Sequence, residues 1–545
     1  MKPSISFIHK KATAVRRSAR RFSACAAKCC CLLLAAVLTV LPLTGCSEDE
    51  AVFLAAVSTL PDTLDPQLAN SETERTLAIN LFEGLFRLGP DGSVENAACE
   101  SYTVSRDGLC WLFTLRPDAC YNDGDEETAP TPLRAGDFVY ALRRVFTLGS
   151  ACPYRETFQG ILGASDILKG TAGLTALGVR AVSDTVLEIR LAVPDEDLPR
   201  KLCCAGAMPC QPDFFASTDG TYGLTVKSLL SNGAFRISLW SEEQGVTLRR
   251  VQPQEGLVNK IRLIRSDLPA PQRLAEGVTT GEYLFGVPAE PGPEVFSIRS
   301  CLLLFNCTLP QFAQPQVRAG LAGVLYTCLP QQTPEGYATA GGLLPESLTL
   351  GEVSWRQLAG SLLNEALPEN PVEEYRAGLQ ALGRSKLSGV TVLVPDTEVW
   401  HTLYDAISLG WQQQLSAFFS VQFLPEKELA ARVADGDYQL AFCTHSCQQD
   451  DVAGELDAFL SGRIPTGYRD ELVEDMLQTA QMTGTPQDYR ATLRQAELLL
   501  LRSWSTVPLY SVSEYYAVAD GFSGVSANPF GEILDFTCAT YTAAD

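Results

Sequence analysis

The sequence predicts an α/β protein with more than one lobe, and three observations support this prediction. With 545 residues, the chain is about three to four times as long as a typical single domain. Short apolar runs with strand character alternate with segments of helical periodicity, most regularly in the C-terminal half. A composition that is 46% hydrophobic and 19% charged excludes a disordered chain.

Acidic residues outnumber basic ones, with 64 Asp and Glu against 42 Lys and Arg, for a net charge of -22. This sign argues against a nucleic-acid partner, because phosphate binding requires a basic surface. Residues 1–45 differ from the rest, since they contain eight basic residues and no acidic one. The remainder of the chain has 34 basic and 64 acidic residues, a net charge of -30.

The first 45 residues have the features of a secretory signal. Their basic stretch leads into an apolar run of about 15 residues, shorter than the ~20 residues that a membrane-spanning helix needs. The run ends in Leu43-Thr44-Gly45-Cys46, which resembles a bacterial lipobox. The resemblance implies cleavage before Cys46 and a lipid on its thiol, so the mature chain is expected outside the cell on a membrane tether. The alternative is an uncleaved membrane anchor.

In the N-terminal half, the pattern predicts strands, helices and hairpins. Residues 51–57 form an apolar run with strand character, and a helix is expected over 71–85, with Ser71 as N-cap and Glu74 three residues later. The other elements expected here are a hairpin over 102–115, a helix over 137–145, a two-stranded segment over 178–193, and strands over 234–239 and 246–250.

In the C-terminal half, strands and helices alternate more regularly. A helix is expected to begin with Thr485 as cap and Pro486 in the first turn, and to continue to about Leu500. The other elements expected here are strands over 390–394, 420–424, 507–510 and 515–518, and helices over 403–419 and 426–433.

Thirteen cysteines follow Cys46, and their spacing lacks the regularity of a disulfide framework. An exported chain can form disulfides, but a core of this size does not depend on them. Most of these cysteines are expected to be small apolar core residues. A bridge between Cys99 and Cys110 is the easiest local alternative.

A strand over 438–447 would place Cys443, His445 and Cys447 on one face, where they would offer three ligands to a metal ion. Three consecutive ligands of a single strand converge poorly on one ion, and no second histidine lies nearby in the sequence. No metal or other cofactor is therefore expected. These side chains are expected to pack in the core or to line a ligand pocket.

A series of short motifs occurs in the order found in a known family. The motifs are Thr63-Leu-Asp-Pro66, Leu81-Phe-Glu-Gly-Leu85, Glu100-Ser-Tyr-Thr-Val-Ser-Arg-Asp-Gly108, Tyr121-Asn-Asp-Gly-Asp125, Ser231-Asn-Gly-Ala-Phe235, Leu304-Phe-Asn306 and Val507-Pro-Leu-Tyr510. Each is weak alone. Together they resemble the solute-binding proteins of bacterial ABC importers, in the large family 5 that includes oligopeptide- and dipeptide-binding lipoproteins.

The resemblance implies a two-lobed periplasmic-binding-protein-like fold of type II, which closes on its ligand by a hinge and has an extra subdomain on the first lobe. Applied to this chain, the expected boundaries are 51–92, 177–297 and 505–545 for the first lobe, 93–176 for the extra subdomain, and 298–504 for the second lobe.

The resemblance also implies that a peptide is enclosed between the lobes and held largely through its main chain. The expected walls are the region before the first helix, the extra subdomain and one strand of the second lobe, with one residue near the hinge crossing. The ligand-binding residues implied are Glu74, Arg75, Thr76, Tyr154, Asn306, Thr444, His445, Ser446, Cys447 and Gln448. For Tyr154 and Asn306, local packing and turn bonding are equally good explanations.

The third wall departs from the family pattern. Peptide-binding members commonly have a tryptophan and then an acidic residue here, whose carboxylate pairs with the free ammonium of the peptide. In this chain those positions fall at about His445 and Gln448, and a neutral amide does not compensate a buried ammonium. Asp450 and Asp451 follow closely and are alternatives.

The expected function is that of a monomeric, lipid-anchored receptor that delivers oligopeptides to an ABC permease and its ATPase. The alternatives are a nickel complex, haem or an oligosaccharide as ligand, or a sensor without transport. An enzyme is not expected. After the signal, the chain has only His401 and His445 as histidine bases, without a Gly-x-Ser-x-Gly elbow or a His-Glu-x-x-His motif.

Overall fold

A mixed β-sheet of eleven strands forms the centre of the described part of the chain. The computed structural model describes residues 51–542 except 58, 90–91, 124–128, 149–151, 156, 267, 287–294, 330–332, 352, 448–449, 481–484, 529 and 531–532. Cys46 and Gln448 therefore lie outside the described residues. From edge to edge, the sheet contains Ser420–Leu424, Thr391–Pro395, Leu440–Ser446, Phe296–Phe305, Thr506–Val518, Gly281–Phe285, Val52–Val57, Lys260–Arg265, Gly245–Arg250 and Phe235–Ser241, with Tyr337–Thr339 paired to the fifth of these.

Smaller sheets lie beside this one. A four-stranded antiparallel sheet contains, in spatial order, Cys99–Val104, Cys110–Leu115, Val186–Arg190 and Val179–Ala181. The two-stranded sheets pair Phe86–Leu88 with Val94–Asn96, Thr349–Leu350 with Val353–Ser354, Phe522–Ser523 with Thr540–Tyr541, and Ser526–Asn528 with Ile533–Asp535.

Helices connect most of the strands, and their alternation with strands confirms the predicted α/β class. The α-helices are Glu72–Leu81, Ala135–Thr147, Ala164–Leu168, Leu198–Lys201, Pro212–Ser217, Ala270–Ala275, Pro310–Ala313, Pro315–Cys328, Trp355–Ala359, Leu363–Ala366, Pro371–Ala381, Glu398–Leu415, Glu426–Ala434, Val452–Ser461, Glu471–Ala480 and Pro486–Ser503. Short 3-10 turns occupy Pro66–Leu68, Leu174–Ala176, Ala205–Ala207 and Val226–Ser228. Among the described residues, no helix is both long and apolar enough to span a bilayer.

The first helix begins as predicted but ends four residues early. Ser71 caps it through the predicted capping box, and the helix covers Glu72–Leu81. Phe82 is extended, and the Asn232 side chain bonds the amide and the carbonyl of Glu83 at 3.1 and 2.9 Å. This contact comes from a residue 149 positions away, so local periodicity does not report it.

Two other predicted elements differ from the structure. The helix expected over 403–419 covers Glu398–Leu415 and ends where Ser416 adopts a left-handed conformation with φ 53°. The strands expected over 507–510 and 515–518 are one strand, Thr506–Val518, because neighbouring strands pair along its whole length. The remaining predicted elements are confirmed with small shifts at their ends.

Three large buried clusters lie around the sheet and beside it. One is formed by residues of 298–512 and includes the buried side chains of Trp355 and Trp411. A second is formed by residues of 69–207, around the four-stranded sheet, and the third includes Phe53 and Phe235. The long strand contributes to the first cluster through Val507 and neighbouring residues, and Tyr516 packs against the third.

The thirteen cysteines among the described residues are free thiols. Six are buried and six are half-buried, as expected for cysteines that act as small apolar side chains. The alternative bridge between Cys99 and Cys110 is absent because the strand register keeps the two apart. Cys99 lies opposite Leu115, and Cys110 lies opposite Arg190.

A buried ion pair connects helix Ala135–Thr147 to the segment that precedes the first helix. Nη2 of Arg144 lies 2.5 Å from Oδ2 of Asp65, and both side chains are almost fully buried. Arg144 also donates to Oε1 of Gln67, and its guanidinium carbon lies 4.3 Å from the ring centre of Phe215. The pair therefore holds this segment against helix Ala135–Thr147.

Replacing Arg144 by Met should lower the free energy of unfolding by ~3–5 kcal/mol, because Asp65 would remain buried without its cation. Arg180→Met is the matched control. Arg180 also pairs with a buried carboxylate, that of Glu188, but its own side chain is mostly exposed, so a much smaller loss is expected. Urea unfolding of each variant measures both losses, and equal losses would contradict the prediction.

Candidate functional site

A large cavity, called the central cavity below, lies where the three clusters face one another. Its volume is ≈ 1210 Å³, above the ~300–1,000 Å³ of pockets for drug-sized ligands. One side carries side chains of the first cluster, and the other carries side chains of the second and third. Among the described residues, the wall segments are 349–358, 450–452 and 480–490 on the first side, and 69–88, 153–160, 193–208, 232–254 and 526–537 on the other.

Two of the residues implied by the sequence, Arg75 and Tyr154, line this cavity. The hydroxyl of Tyr154 donates to the carbonyl of Ala69 at 2.6 Å, and burial raises the pKa of this phenol. Its ring packs on Gly206, where an added Cβ would lie 2.4 Å from the ring. Tyr154 is therefore a fixed part of the wall. Arg75 donates to the carbonyl of Asn70 at 2.8 Å.

Glu74 and Thr76 lie behind the wall and do not line the cavity. One carboxylate oxygen of Glu74 accepts from the amides of Asp62 and Thr63, and the other accepts from the amides of Asn70 and Ser71, at 2.9–3.3 Å. These four hydrogen bonds fix both ends of the loop 62–71 to the Glu74 carboxylate. Thr76 accepts from the amide of Leu534 at 3.2 Å, which attaches the helix to the C-terminal segment.

Asn306 lies outside the described cavity wall, directly after strand Phe296–Phe305. Its side-chain amide donates to the carbonyls of Gly436 and Tyr438 at 3.2 and 2.9 Å. Its carbonyl oxygen accepts from Thr308 in the following turn. The Asn306 side chain therefore connects the loop at 436–438 to the turn at 306–308.

The end of strand Leu440–Ser446 also lies away from the described wall of the cavity. Thr444, His445 and Ser446 are half-buried, and Cys447 is buried directly after the strand. Antiparallel pairing with Phe296–Phe305 fixes their positions, since Arg299 lies opposite Ser446 and Cys301 opposite Thr444.

Asp450 and Asp451, which the sequence offered as alternatives to an acidic residue at position 448, do line the cavity. Asp450 accepts from the amide and hydroxyl of Thr349 at 2.7 and 2.6 Å. Burial raises its pKa, and the bonds from Thr349 oppose the rise. Asp451 accepts from the amide of Ala453 at 3.1 Å and caps the helix Val452–Ser461.

A second group of charges on the opposite wall faces these two carboxylates. Asp195 pairs with Nζ of Lys201 at 2.7 Å. Burial raises the pKa of Asp197, and the neighbouring Asp195 adds to the rise. The charge of Asp451 acts on Asp197 and on Lys201 across the cavity. The four carboxylates face Lys201 and also Arg200, whose charge acts on two of them. The carboxylates outnumber these two cations, so this part of the cavity favours a positively charged ligand group.

Arg490 of helix Pro486–Ser503 also lines the cavity. Its guanidinium forms no hydrogen bond or ion pair with another described side chain, whereas Arg116 on the opposite wall is paired with Glu83 at 3.0 Å. Sequence reasoning missed the residues of 195–201, because their only local signal is an acidic run after a strand, and it missed Arg490, which lies in a helix without a local signal of function. The significance of 195–201 arises from Asp450 and Asp451, about 250 positions later in the chain.

Comparisons with known proteins agree with this architecture. The model of the bacterial extracellular solute-binding proteins, family 5, middle region, matches residues 93–294. The probable deoxycholate-binding periplasmic protein YgiS of Escherichia coli strain K12 is 24% identical over 483 residues, which are 83% of this chain and 86% of that protein. The dipeptide-binding protein DppE of Bacillus subtilis strain 168 is 21% identical over 515 residues, 87% of this chain and 89% of that protein.

Solved structures show the same fold. The crystal structure of Haemophilus influenzae OppA in complex with the peptide RPPGFSPFR superposes with a TM-score of 0.73 at 18% identity, covering 90% of this chain and 99% of that one. The substrate-binding domain of an oligopeptide ABC transporter from Bacillus anthracis gives 0.71 at 21% identity, covering 90% and 99%. The predicted two-lobed periplasmic-binding-protein fold is thereby confirmed.

Replacing Glu74 by Gln should lower the free energy of unfolding by ~1–3 kcal/mol, because an amide nitrogen would face two backbone donors that lose their acceptor. Glu373→Gln is the control. Glu373 has the same third position in helix Pro371–Ala381 but is exposed, so a change within ~0.5 kcal/mol is expected. Urea unfolding measures both. A Glu74 variant of unchanged stability that binds ligand less tightly would instead indicate direct ligand contact.

Proposed function

Because this chain belongs to family 5 of the bacterial extracellular solute-binding proteins, we propose that it captures oligopeptides in the central cavity and delivers them to an ABC-type permease. The observation that carries the proposal is a cavity of ≈ 1210 Å³ with one wall from the first cluster and the other from the second and third. A cavity of this size accommodates several residues of an extended chain. Proteins of this family are binding proteins, and no catalytic step is part of the proposal.

The free ammonium of the peptide is proposed to bind among Asp450, Asp451 and Asp197. Burial raises the pKa of Asp450 and of Asp197, so each carboxylate gains from a cation brought close to it. This assignment replaces the acidic residue that the family pattern places at about Gln448. Arg75 and Tyr154 line the same cavity, and Arg490 is proposed to bind a ligand carboxylate.

The chain is proposed to work outside the cell, attached to the membrane through a lipid on Cys46. The lipobox and the basic, apolar order of residues 1–45 support this. A monomer is sufficient, since the cavity is walled by one chain. The lobe boundaries expected from the sequence, with 298–504 as the second lobe and 93–176 as the extra subdomain, remain predictions.

Asp450→Asn should weaken the binding of peptides with a free N-terminus by about 10- to 100-fold, because the ammonium loses a charged acceptor. N-acetylation of the same peptide should weaken binding to the wild-type protein to a similar extent. Asp435→Asn is the control, since Asp435 is exposed and is not part of the described cavity wall. Isothermal calorimetry with matched peptide pairs measures these affinities, and equal binding of free and acetylated peptides would contradict the ammonium site.

Native mass spectrometry of the mature protein, purified from its host, identifies the peptides to use in that measurement. Co-purified masses of short peptides are expected, because a closed cavity retains its ligand. A bile acid, a nickel complex, haem or an oligosaccharide in their place would overturn the peptide proposal. Such a ligand would not contradict the family assignment. It would indicate that the protein serves the transport or sensing of that compound instead of a peptide.

Cys46→Ser should move the protein from the membrane fraction to the soluble or unprocessed pool, because the residue that would carry the lipid is lost. Cys31→Ser, in the apolar run of the signal, is the control and should leave fractionation unchanged. Metabolic labelling with a radioactive fatty acid measures attachment directly. Label on the Cys46→Ser protein would contradict the proposed anchor.

A further inference from the structure

Three side chains with metal-ligating atoms converge at the end of strand Leu440–Ser446. A ring nitrogen of His445, Sγ of Cys447 and a carboxylate oxygen of Glu455 all lie within 4.8 Å of one another. Nε2 of His445 lies 3.6 Å from Oε2 of Glu455. In a tetrahedral zinc site, bonds of about 2.0–2.3 Å place neighbouring ligand atoms ~3.3–3.8 Å apart. The histidine and the carboxylate therefore already have the separation of two ligands on one ion.

From this arrangement we propose that His445, Cys447 and Glu455 bind a divalent transition-metal ion of the zinc class. The set of one nitrogen, one sulfur and one oxygen ligand suits a borderline-soft cation and excludes the all-oxygen environment that calcium or magnesium prefers. Three protein ligands leave a fourth coordination position for water or another group.

Two structural elements supply the ligands, which removes the obstacle that a single strand presents. His445 lies in the strand and Cys447 follows it, where the amide of Cys447 donates to the carbonyl of Ile298 at 3.1 Å. Glu455 lies in the first turn of helix Val452–Ser461 and approaches from the side. The strand pattern offered Cys443 as the third ligand, but Cys443 is outside the group of converging atoms. Glu455 is the third ligand instead.

The surroundings favour a cation at this point. Cys447 and Glu455 are buried, and the side chain of His445 keeps 22% of its surface exposed, which gives an ion a path inward. Within the described part of the chain, Nε2 of His445 is buried without a hydrogen-bond partner. Nη1 of Arg463 lies 3.6 Å from Oε1 of Glu455, on the oxygen opposite the one near His445. The arginine thus compensates part of the Glu455 charge at the oxygen that does not face His445.

The site is separate from the ligand cavity but close to it. The amide of Glu455 donates to the carbonyl of Asp451 at 2.9 Å, so the two are one helical turn apart. Asp451 lines the central cavity, whereas the three metal ligands are not part of its described wall. The metal proposal does not depend on which solute the cavity binds.

Cobalt(II) titration of the mature, reduced and metal-free protein tests the proposal. One equivalent should produce a thiolate-to-cobalt charge-transfer band in the near ultraviolet together with the visible bands of tetrahedral cobalt, and one equivalent of zinc should abolish both. This measurement uses the unmodified chain, so it does not depend on whether a variant folds. Absence of the charge-transfer band would overturn the site.

Variants identify the ligands. Cys447→Ser should remove the charge-transfer band, while Cys443→Ser, which changes a thiol on the same strand, should keep it. His445→Gln and Glu455→Gln should each weaken cobalt binding by at least ~10-fold, since even residues that only orient a ligand contribute that much. A band that persists in Cys447→Ser would assign the thiolate to another cysteine and overturn the proposal. Unaltered cobalt affinity in both His445→Gln and Glu455→Gln would do the same.

Discussion

The strand Thr506–Val518 is the element through which both halves of the sheet are joined. Its first part pairs with Phe296–Phe305 and its last part with Gly281–Phe285. Glu514 lies opposite Phe285 on one neighbour and Phe296 on the other, and a register irregularity follows at once. In the described sheet, the strands on one side of it connect to those on the other only through this strand, so their relative position depends on its backbone. A hinge between the two halves of the sheet would therefore involve this strand.

Buried carboxylates then fix the loops that reach the cavity. Glu74 accepts four backbone amides, and Glu497 accepts two amides at Leu343 and Leu344 and the indole of Trp355. A buried carboxylate is stabilised by hydrogen bonds from backbone amides that are shielded from solvent. Because these amides belong to different segments, the carboxylate holds the segments together. The net charge of -30 outside the first 45 residues therefore includes charges that organise the interior as well as charges that keep the surface soluble.

Sequence reasoning located the secondary-structure elements but did not find the charged residues that face one another in the cavity, and the difference has a physical cause. Ser71 and Thr485 cap their helices as expected, because a capping box and a proline in the first turn are local signals. The early end of the first helix depends on the hydrogen bond from Glu83 to Asn232. The cluster of carboxylates in the cavity depends on the fold bringing Asp197 close enough for its charge to act on Asp450. Such contacts join positions that the chain brings together only by folding, and periodicity within one segment carries no information on them.

The segment 444–455 illustrates how a single stretch of chain serves two environments. The strand pattern correctly placed His445 and Cys447 near each other, but it supplied no partner from outside the strand. Asp450 and Asp451 line the cavity, and the helix that Asp451 caps brings Glu455 back towards His445. Two carboxylates thus face the cavity, while a third lies beside a nitrogen and a sulfur. An ion held by that third carboxylate would connect the strand to the helix and so limit their relative motion.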